Sequence, residues 1–266
     1  MSGQFAKGCS LDKGKHRYTS FNVARMRGLV SQPVPSSIDL SAFQPPVMDQ
    51  GPCGSCEGHS SAAATYTSFA KAGEKLPWVP SPGDIYKLAR CVDRFDPNTA
   101  LTDGGTETNS VLRAIAEFGI RPMGPLTSDG RYSDCEPSNV NLEPNLAQLE
   151  QDALTLIVSP YAITTSGDEK WNDYQAALAN GFTVRVDSFV DTAFEQWQAG
   201  NQPFGVPNYA DQNGGGHALY SAGYSAAGGD VTNSWGLQWG MSGHIIVSKA
   251  FILQCDVTVW KVSVAP

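Results

Sequence analysis

Three short stretches carry the residue types that break covalent bonds or hold metals. They are Gln50-Gly51-Pro52-Cys53-Gly54-Ser55-Cys56, Gly214-Gly215-Gly216-His217-Ala218 and Asn233-Ser234-Trp235-Gly236-Leu237-Gln238-Trp239-Gly240. Taken alone, the Cys53-x2-Cys56 spacing suits half of a zinc site, a redox pair, or a nucleophile beside a structural cysteine. A zinc or redox centre would draw on Cys53, Cys56 and His59, yet no fourth metal ligand is evident. It would also leave the histidine and asparagine stretches without a use. Ser55 lacks the Gly-x-Ser-x-Gly turn that exposes a serine nucleophile. No metal and no cofactor are expected.

These residues need elements to hold them. From Cys56 to Ala72 the residues Ala62, Ala63, Tyr66, Phe69 and Ala70 recur at helical spacing, and Gly73 supplies a stop. Cys56 is thereby expected at a helix N-terminus, where unpaired N–H groups and the helix dipole favour thiolate over thiol. Further helices are expected over Pro82 to Arg90 and Glu107 to Phe118, the latter closed by Gly119. Past Leu154 the pattern turns to short β-branched and aromatic runs: Leu154 to Val158, Phe182 to Val186, His217 to Tyr224, Asp230 to Trp235 and His244 to Ser248. A helical first half and a strand-rich second half predict an α+β fold with a cleft between them.

Together the three stretches resemble the papain family of cysteine peptidases, from about Pro35 to Cys255. In that family a glutamine stands six residues before the nucleophilic cysteine, a histidine opens a downstream strand, and an asparagine begins an Asn-Ser-Trp-Gly motif; all three occur here in order. The resemblance implies two subdomains, helical over about 35–150 and an antiparallel sheet or barrel over about 151–266, with the site between them. It implies Cys56 as nucleophile, His217 as acid and base, Asn233 orienting the imidazole under the cover of Trp235, and Gln50 as oxyanion donor. The chemistry agrees: a thiol attacks an amide as thiolate and needs a base to hold its proton. Gly104 and Gly105 resemble the pair that lets a peptide approach the cleft for strand-like pairing. Ala218, Val186 and Trp260 are implied to line the specificity pocket, with Trp260 at its floor, and Gly216, where many relatives carry aspartate, is implied to meet the substrate beside His217.

Several departures qualify the match. The histidine and asparagine lie farther from Cys56 than the roughly 130 to 150 residues of the usual signature, an excess that surface loops absorb at little cost. Glu57 stands where the family usually has tryptophan. A carboxylate there opposes a neighbouring thiolate and predicts a less depressed Cys56 pKa, unless it turns to solvent and is screened. His59 replaces another usually aromatic position and reads as a packed helix residue rather than a second base. Cys91 and Cys135 match a family disulfide. The usual partner position of Cys53 falls near Thr102, which leaves Cys9, Cys53 and Cys255 unassigned.

Of the 266 residues 41% are hydrophobic, enough to bury a core, and no apolar run is long enough for a membrane helix. A net charge of -8 gives nucleic acid no broad footprint. Residues 1–34 are opposite in sign, with Lys7, Lys13, Lys15, Arg17, Arg25 and Arg27 against Asp12 alone. Pro33 and Pro35 mark its boundary with the peptidase-like domain, residues 35–266. Because family members are made with an inhibitory N-terminal segment, this basic arm is expected to fold back on the acidic body and cover part of the cleft. The expected function is thiol-dependent hydrolysis of peptides or proteins by a monomer; the alternative is a catalytically weak, peptide-binding relative. Met1 to Ser10 lacks the apolar stretch of a signal peptide, while the disulfide-like pair leans toward a secreted or periplasmic setting.

Overall fold

A computed structural model describes residues 19–21, 33–74, 76–94, 100–124, 137–145, 153–198, 200 and 202–264. Helices α1 (Cys56–Lys71), α2 (Pro82–Asp93) and α3 (Thr108–Phe118) form the first half, with a short α4 (Pro137–Val140). Small residues let α1 sit buried among its neighbours: a Cβ at Gly58 would lie 2.2 Å from the Pro82 carbonyl oxygen. Helix α2 begins where the Ser81 hydroxyl accepts the Asp84 N–H at 3.0 Å, with proline in its first turn. Helix α3 ends at Gly119, whose φ of 67° and contact with the Leu154 backbone exclude a side chain.

The second half is a sheet with strands β1 (Thr19–Ser20), β2 (Ile38–Asp39), β3 (Leu156–Ala162), β4 (Thr183–Val190), β5 (Gly215–Ser225), β6 (Gly228–Thr232), β7 (His244–Val247) and β8 (Asp256–Val264). Their order is β1-β3-β8-β4-β5-β6-β7, and β2 adds to β5. All pairs are antiparallel except β1 with β3. The sheet is not closed into a barrel among the described residues, so the open alternative holds. Three helices also belong here: α5 (Gly167–Ala179), α6 (Thr192–Glu195) and α7 (Lys249–Gln254). The strand-rich reading of this half had none of them. Among the described residues no helix is long and apolar enough to cross a membrane.

Two cores follow from the two-residue period of the strands. On one face Val184 and Val186 of β4, Leu219 of β5 and Val257 and Val259 of β8 pack with Tyr174 of α5 and Phe251 of α7. On the other face Tyr220 and Trp260 join the core of α1, α2 and α3. Successive residues of one strand therefore serve different cores: Leu219 of β5 packs in the first and Tyr220 in the second.

Most of residues 1–34 lies outside the described residues, but one stretch is anchored. Thr19 and Ser20 pair with Tyr161 and Ala162, and the Phe21 N–H donates to the Ala162 carbonyl at 2.8 Å. The Phe21 ring is fully buried, edge-on to Phe182 with centroids 5.2 Å apart. Farther along, the Tyr224 hydroxyl donates to the Pro35 carbonyl at 2.8 Å.

Candidate active site

Cys56 is the first residue of α1, behind Ser55, and is buried against Ala218 of β5. The residue best suited to carry a thiolate thus sits where helix N–H groups point outward. His59, one turn on, is buried and its Nδ1 donates to the Ser55 carbonyl at 2.9 Å.

His217 lies near the start of β5. Its Nε2 is 2.7 Å from Asn233 Oδ1, and the Trp235 ring stacks on the imidazole at 4.6 Å between centroids and 30° between planes. The same asparagine oxygen accepts the Ser234 N–H at 2.7 Å, so the amide cannot turn without losing two bonds. His217 and Asn233 are buried. An N–H at Nε2 shared with a carbonyl oxygen leaves Nδ1 as the nitrogen that can accept a proton.

Gln50 connects this strand end to the cysteine. Its Nε2 donates to the Cys53 carbonyl at 2.7 Å, its Oε1 accepts from the Ser234 hydroxyl at 2.5 Å, and its backbone N–H donates to the Ser234 carbonyl at 2.8 Å. A primary amide has two N–H bonds, of which the Cys53 carbonyl uses one.

Asp103 is a residue whose importance the sequence did not reveal. Its carboxylate accepts the Gly54 N–H at 3.0 Å and 3.2 Å and the Tyr86 hydroxyl at 2.7 Å. It ties the loop before Cys56 to the stretch that holds Gly104 and Gly105. Burial, reinforced by the bond to Asp103, pushes the Tyr86 phenol well above its ordinary pKa. Gly105, with φ 82°, donates its N–H to the Tyr86 hydroxyl at 3.0 Å, while Gly104 is exposed. Only the position of Asp103 beside that pair hinted at its use.

The specificity pocket needs correction. Val186 is fully buried on the face of β4 turned away from the helices, because its neighbours Arg185 and Asp187 take the facing side. Trp260 is fully buried in the helical core, with the Arg185 guanidinium 5.8 Å from its ring. Neither side chain is open to a substrate. Ala218 remains at the site through its contact with Cys56, and Gly216, half-buried, pairs with Phe189 two residues away.

Glu57 is also not as expected. It neither turns to solvent nor stands alone beside the thiol: it is fully buried, with Oε2 2.6 Å from Arg185 Nη2. The signal available was the Val184-Arg185-Val186-Asp187 alternation, charges interleaved with valines in a strand. Among the described residues Cys91 and Cys255 form no disulfide, and burial pushes the Cys255 thiol up to about 12. Cys135, the implied partner of Cys91, and Cys9 lie outside the described residues. Beyond Trp235 the surface opens into a cavity of about 440 Å³, walled by Trp197 and Trp239 and rimmed by Glu195 and Gln238.

Comparison with known proteins agrees with this geometry. The family described as papain family cysteine protease matches residues 34–264. Digestive cysteine proteinase 2 of Homarus americanus is 24% identical over 80% of this chain and 60% of its own length. Pro-cathepsin H of Bos taurus is 26% identical over 82% and 61%. The chain thus spans about three fifths of the length of these curated relatives. Among solved structures, xylellain, a cysteine protease from Xylella fastidiosa, superposes with a TM-score of 0.68 at 21% identity, covering 97% of this chain and 96% of that one. Digestive procathepsin L 3 of Tenebrio molitor gives 0.64 at 19%, covering 96% and 75%.

Proposed function

Because the chain belongs to the papain family of cysteine proteases, we propose that it hydrolyses peptide bonds through a thiolate of Cys56 and an imidazolium of His217. The observation that carries this is the 2.7 Å contact of His217 Nε2 with Asn233 Oδ1 beneath the Trp235 ring. It supports Nδ1 as the proton-exchanging nitrogen, with the ring shielding the orienting bond.

The thiolate attacks the scissile carbonyl carbon, and the carbonyl oxygen becomes an oxyanion. The Cys56 backbone N–H and the side-chain amide of Gln50 stabilise it, a contribution typically worth about 10²- to 10³-fold in rate per donor. His217 gives its proton to the leaving amine, and an acyl-enzyme remains. Water, losing a proton to His217, then attacks the thioester and releases the acid while Cys56 returns to thiolate. Gly104 and Gly105 present backbone to an extended substrate, a role that fits the exposure of Gly104.

The basic arm is proposed to restrain turnover. Anchoring of Phe21 on β3 supports intramolecular docking. The test is hydrolysis of a pooled fluorogenic peptide library under reducing conditions by the intact chain, Cys56→Ala and a truncation beginning at Pro33. Loss of activity in Cys56→Ala supports the thiol mechanism, and faster turnover after truncation supports restraint. A folded parent with a reactive thiol and no turnover would point instead to a peptide-binding relative.

A further inference from the structure

The face of the sheet toward the helices holds a buried ionic cluster next to the nucleophile. Arg185 Nη2 lies 2.6 Å from Glu57 Oε2 and 2.6 Å from Asp187 Oδ1. Its Nη1 donates to the Ser61 hydroxyl at 2.9 Å. The Thr108 hydroxyl donates to Asp187 Oδ2 at 2.6 Å. Arg185 and Glu57 have no exposed side-chain surface and Asp187 has 4%. Two carboxylates thus share one guanidinium away from water, where charges interact strongly.

Its members come from three elements around the site. Glu57 and Ser61 are on α1, one residue and a turn beyond the thiol, and Thr108 opens α3. Arg185 and Asp187 are on β4, where Asp187 pairs with Ala218, the residue that packs on Cys56 and follows His217. We propose that Arg185 is a positioning residue for the nucleophile: it draws the Glu57 carboxylate into the sheet, offsets the negative charge beside Cys56, and fastens the helix bearing the thiol to the strand beside the one bearing the imidazole. This rests on Cys56 being the nucleophile.

Other charges around the thiol do not take this part. On α1 His59 is bonded to Ser55, and on β5 His217 is bonded to Asn233. On α2 Asp84 pairs with Arg121, Lys87 with Asn139, Arg90 with Thr102 and Asn141, and Asp93 with Thr106 and Ser110. Asp103 before α3 holds Gly54, Glu107 stands at the start of α3 without a side-chain cap bond, and Asp256 of β8 stands opposite Asp187 in register. Arg185 is the cation in contact with the carboxylate next to the thiol.

The test reads Cys56 itself in the full chain: the rate of alkylation by iodoacetamide against pH, with the labelled peptide identified by mass spectrometry. The parent is expected to react well below the ordinary thiol range. Arg185→Gln leaves two carboxylates uncompensated, and its acid limb is expected to move up by about one pH unit, roughly a tenfold loss of rate at the foot of the limb. Removing the carboxylate next to the thiol as well reverses this: Arg185→Gln/Glu57→Gln is expected to share the limb of Glu57→Gln alone. An Arg185→Gln limb at the parent's position, or a double variant displaced from Glu57→Gln, overturns the proposal. Where Arg185→Gln does not fold, the double variant and Glu57→Gln decide it. A parent without low-pH reactivity at Cys56 fails differently: it removes the nucleophile itself before any variant is compared.

Discussion

Asp103 accepts the backbone N–H of Gly54, two residues before Cys56, and so a single carboxylate sets the loop before Cys56 against the stretch that holds Gly104 and Gly105. Asp103→Ala strands two donors, the Gly54 N–H and the Tyr86 hydroxyl. A loss of about 1–3 kcal/mol is expected, which lowers the melting midpoint by roughly 3–10 °C in a chain of this size. Asp103→Asn keeps one acceptor oxygen and should recover part of it. Thermal unfolding with parallel kcat measurements checks both, and a midpoint unchanged in Asp103→Ala would show the bond to be dispensable.

Asn233→Ala removes the acceptor at His217 Nε2 without touching the surface a substrate meets, since Asn233 is 3% exposed. The expected effect is a fall in kcat of about 10- to 100-fold, the usual scale for partners that orient a functional histidine. KM should stay within about twofold, because no substrate contact is lost. Steady-state kinetics separates the two; a change confined to KM counts against the orienting role.

Gly104 and Gly105 should respond differently to alanine. Gly105 has φ 82°, which costs an alanine about 1–2 kcal/mol, so Gly105→Ala lowers stability. At Gly104 the nearest atom to an added Cβ is Thr102 Oγ1 at 3.9 Å, so Gly104→Ala should leave unfolding unchanged. It should raise KM if peptide backbone lies there. An unaltered KM places the substrate elsewhere.

Alkaline pH should unfold the chain through groups that hold their protons. Burial raises Tyr86, Tyr174 and Tyr220 above the ordinary phenol range and Cys255 to about 12. In the unfolded chain tyrosine ionises near pH 10 and cysteine near pH 8.5. Their stabilising contribution is therefore intact below those values and is lost as pH rises above them, on the order of 1 kcal/mol per pH unit for each group. Phenolate absorbance from these three tyrosines is expected only together with loss of secondary structure. Their ionisation in a still-folded chain would contradict the burial.

Phe21→Ala empties a site between Tyr161 and Phe182. Truncating a buried phenylalanine typically costs about 3–5 kcal/mol. If the arm restrains turnover, loosening this anchor should also raise kcat/KM, by an amount comparable to truncation at Pro33. Measuring stability and turnover in the same variant tells a strap from an inhibitor: a stability loss with unchanged kinetics leaves only the strap.

Much of this architecture could be read before any coordinates. Helix α1 was legible because Ala62, Ala63, Tyr66, Phe69 and Ala70 recur at helical spacing and Gly73 follows, and the strand Gly228–Thr232 just before the Asn-Ser-Trp-Gly motif because it carries β-branched residues, although it stops short of the expected Trp235. Helix α5 was not. Its sequence, GDEKWNDYQAALA, spreads charge and aromatics around the helix, and the neighbouring strands set the expectation. The cysteine, histidine, asparagine and glutamine were legible because each sits in a local motif. The cluster of Glu57, Arg185, Asp187 and Thr108 was not, since its members come from three elements and only the fold brings them together. Val186 was misplaced by one residue of strand period, enough to reverse its face.

Strand β8, the last in the chain, lies in the middle of the sheet between β3 and β4. During synthesis, then, β3 and β4 emerge with two unsatisfied edges and wait for Asp256–Val264 to join them. The helices carrying the thiol can be made long before the strand carrying the imidazole has its final neighbours. A nascent chain halted before Asp256 should possess its cysteine helix but no completed sheet to hold the strand of His217, so bringing Cys56 and His217 together is deferred until this late strand has been made.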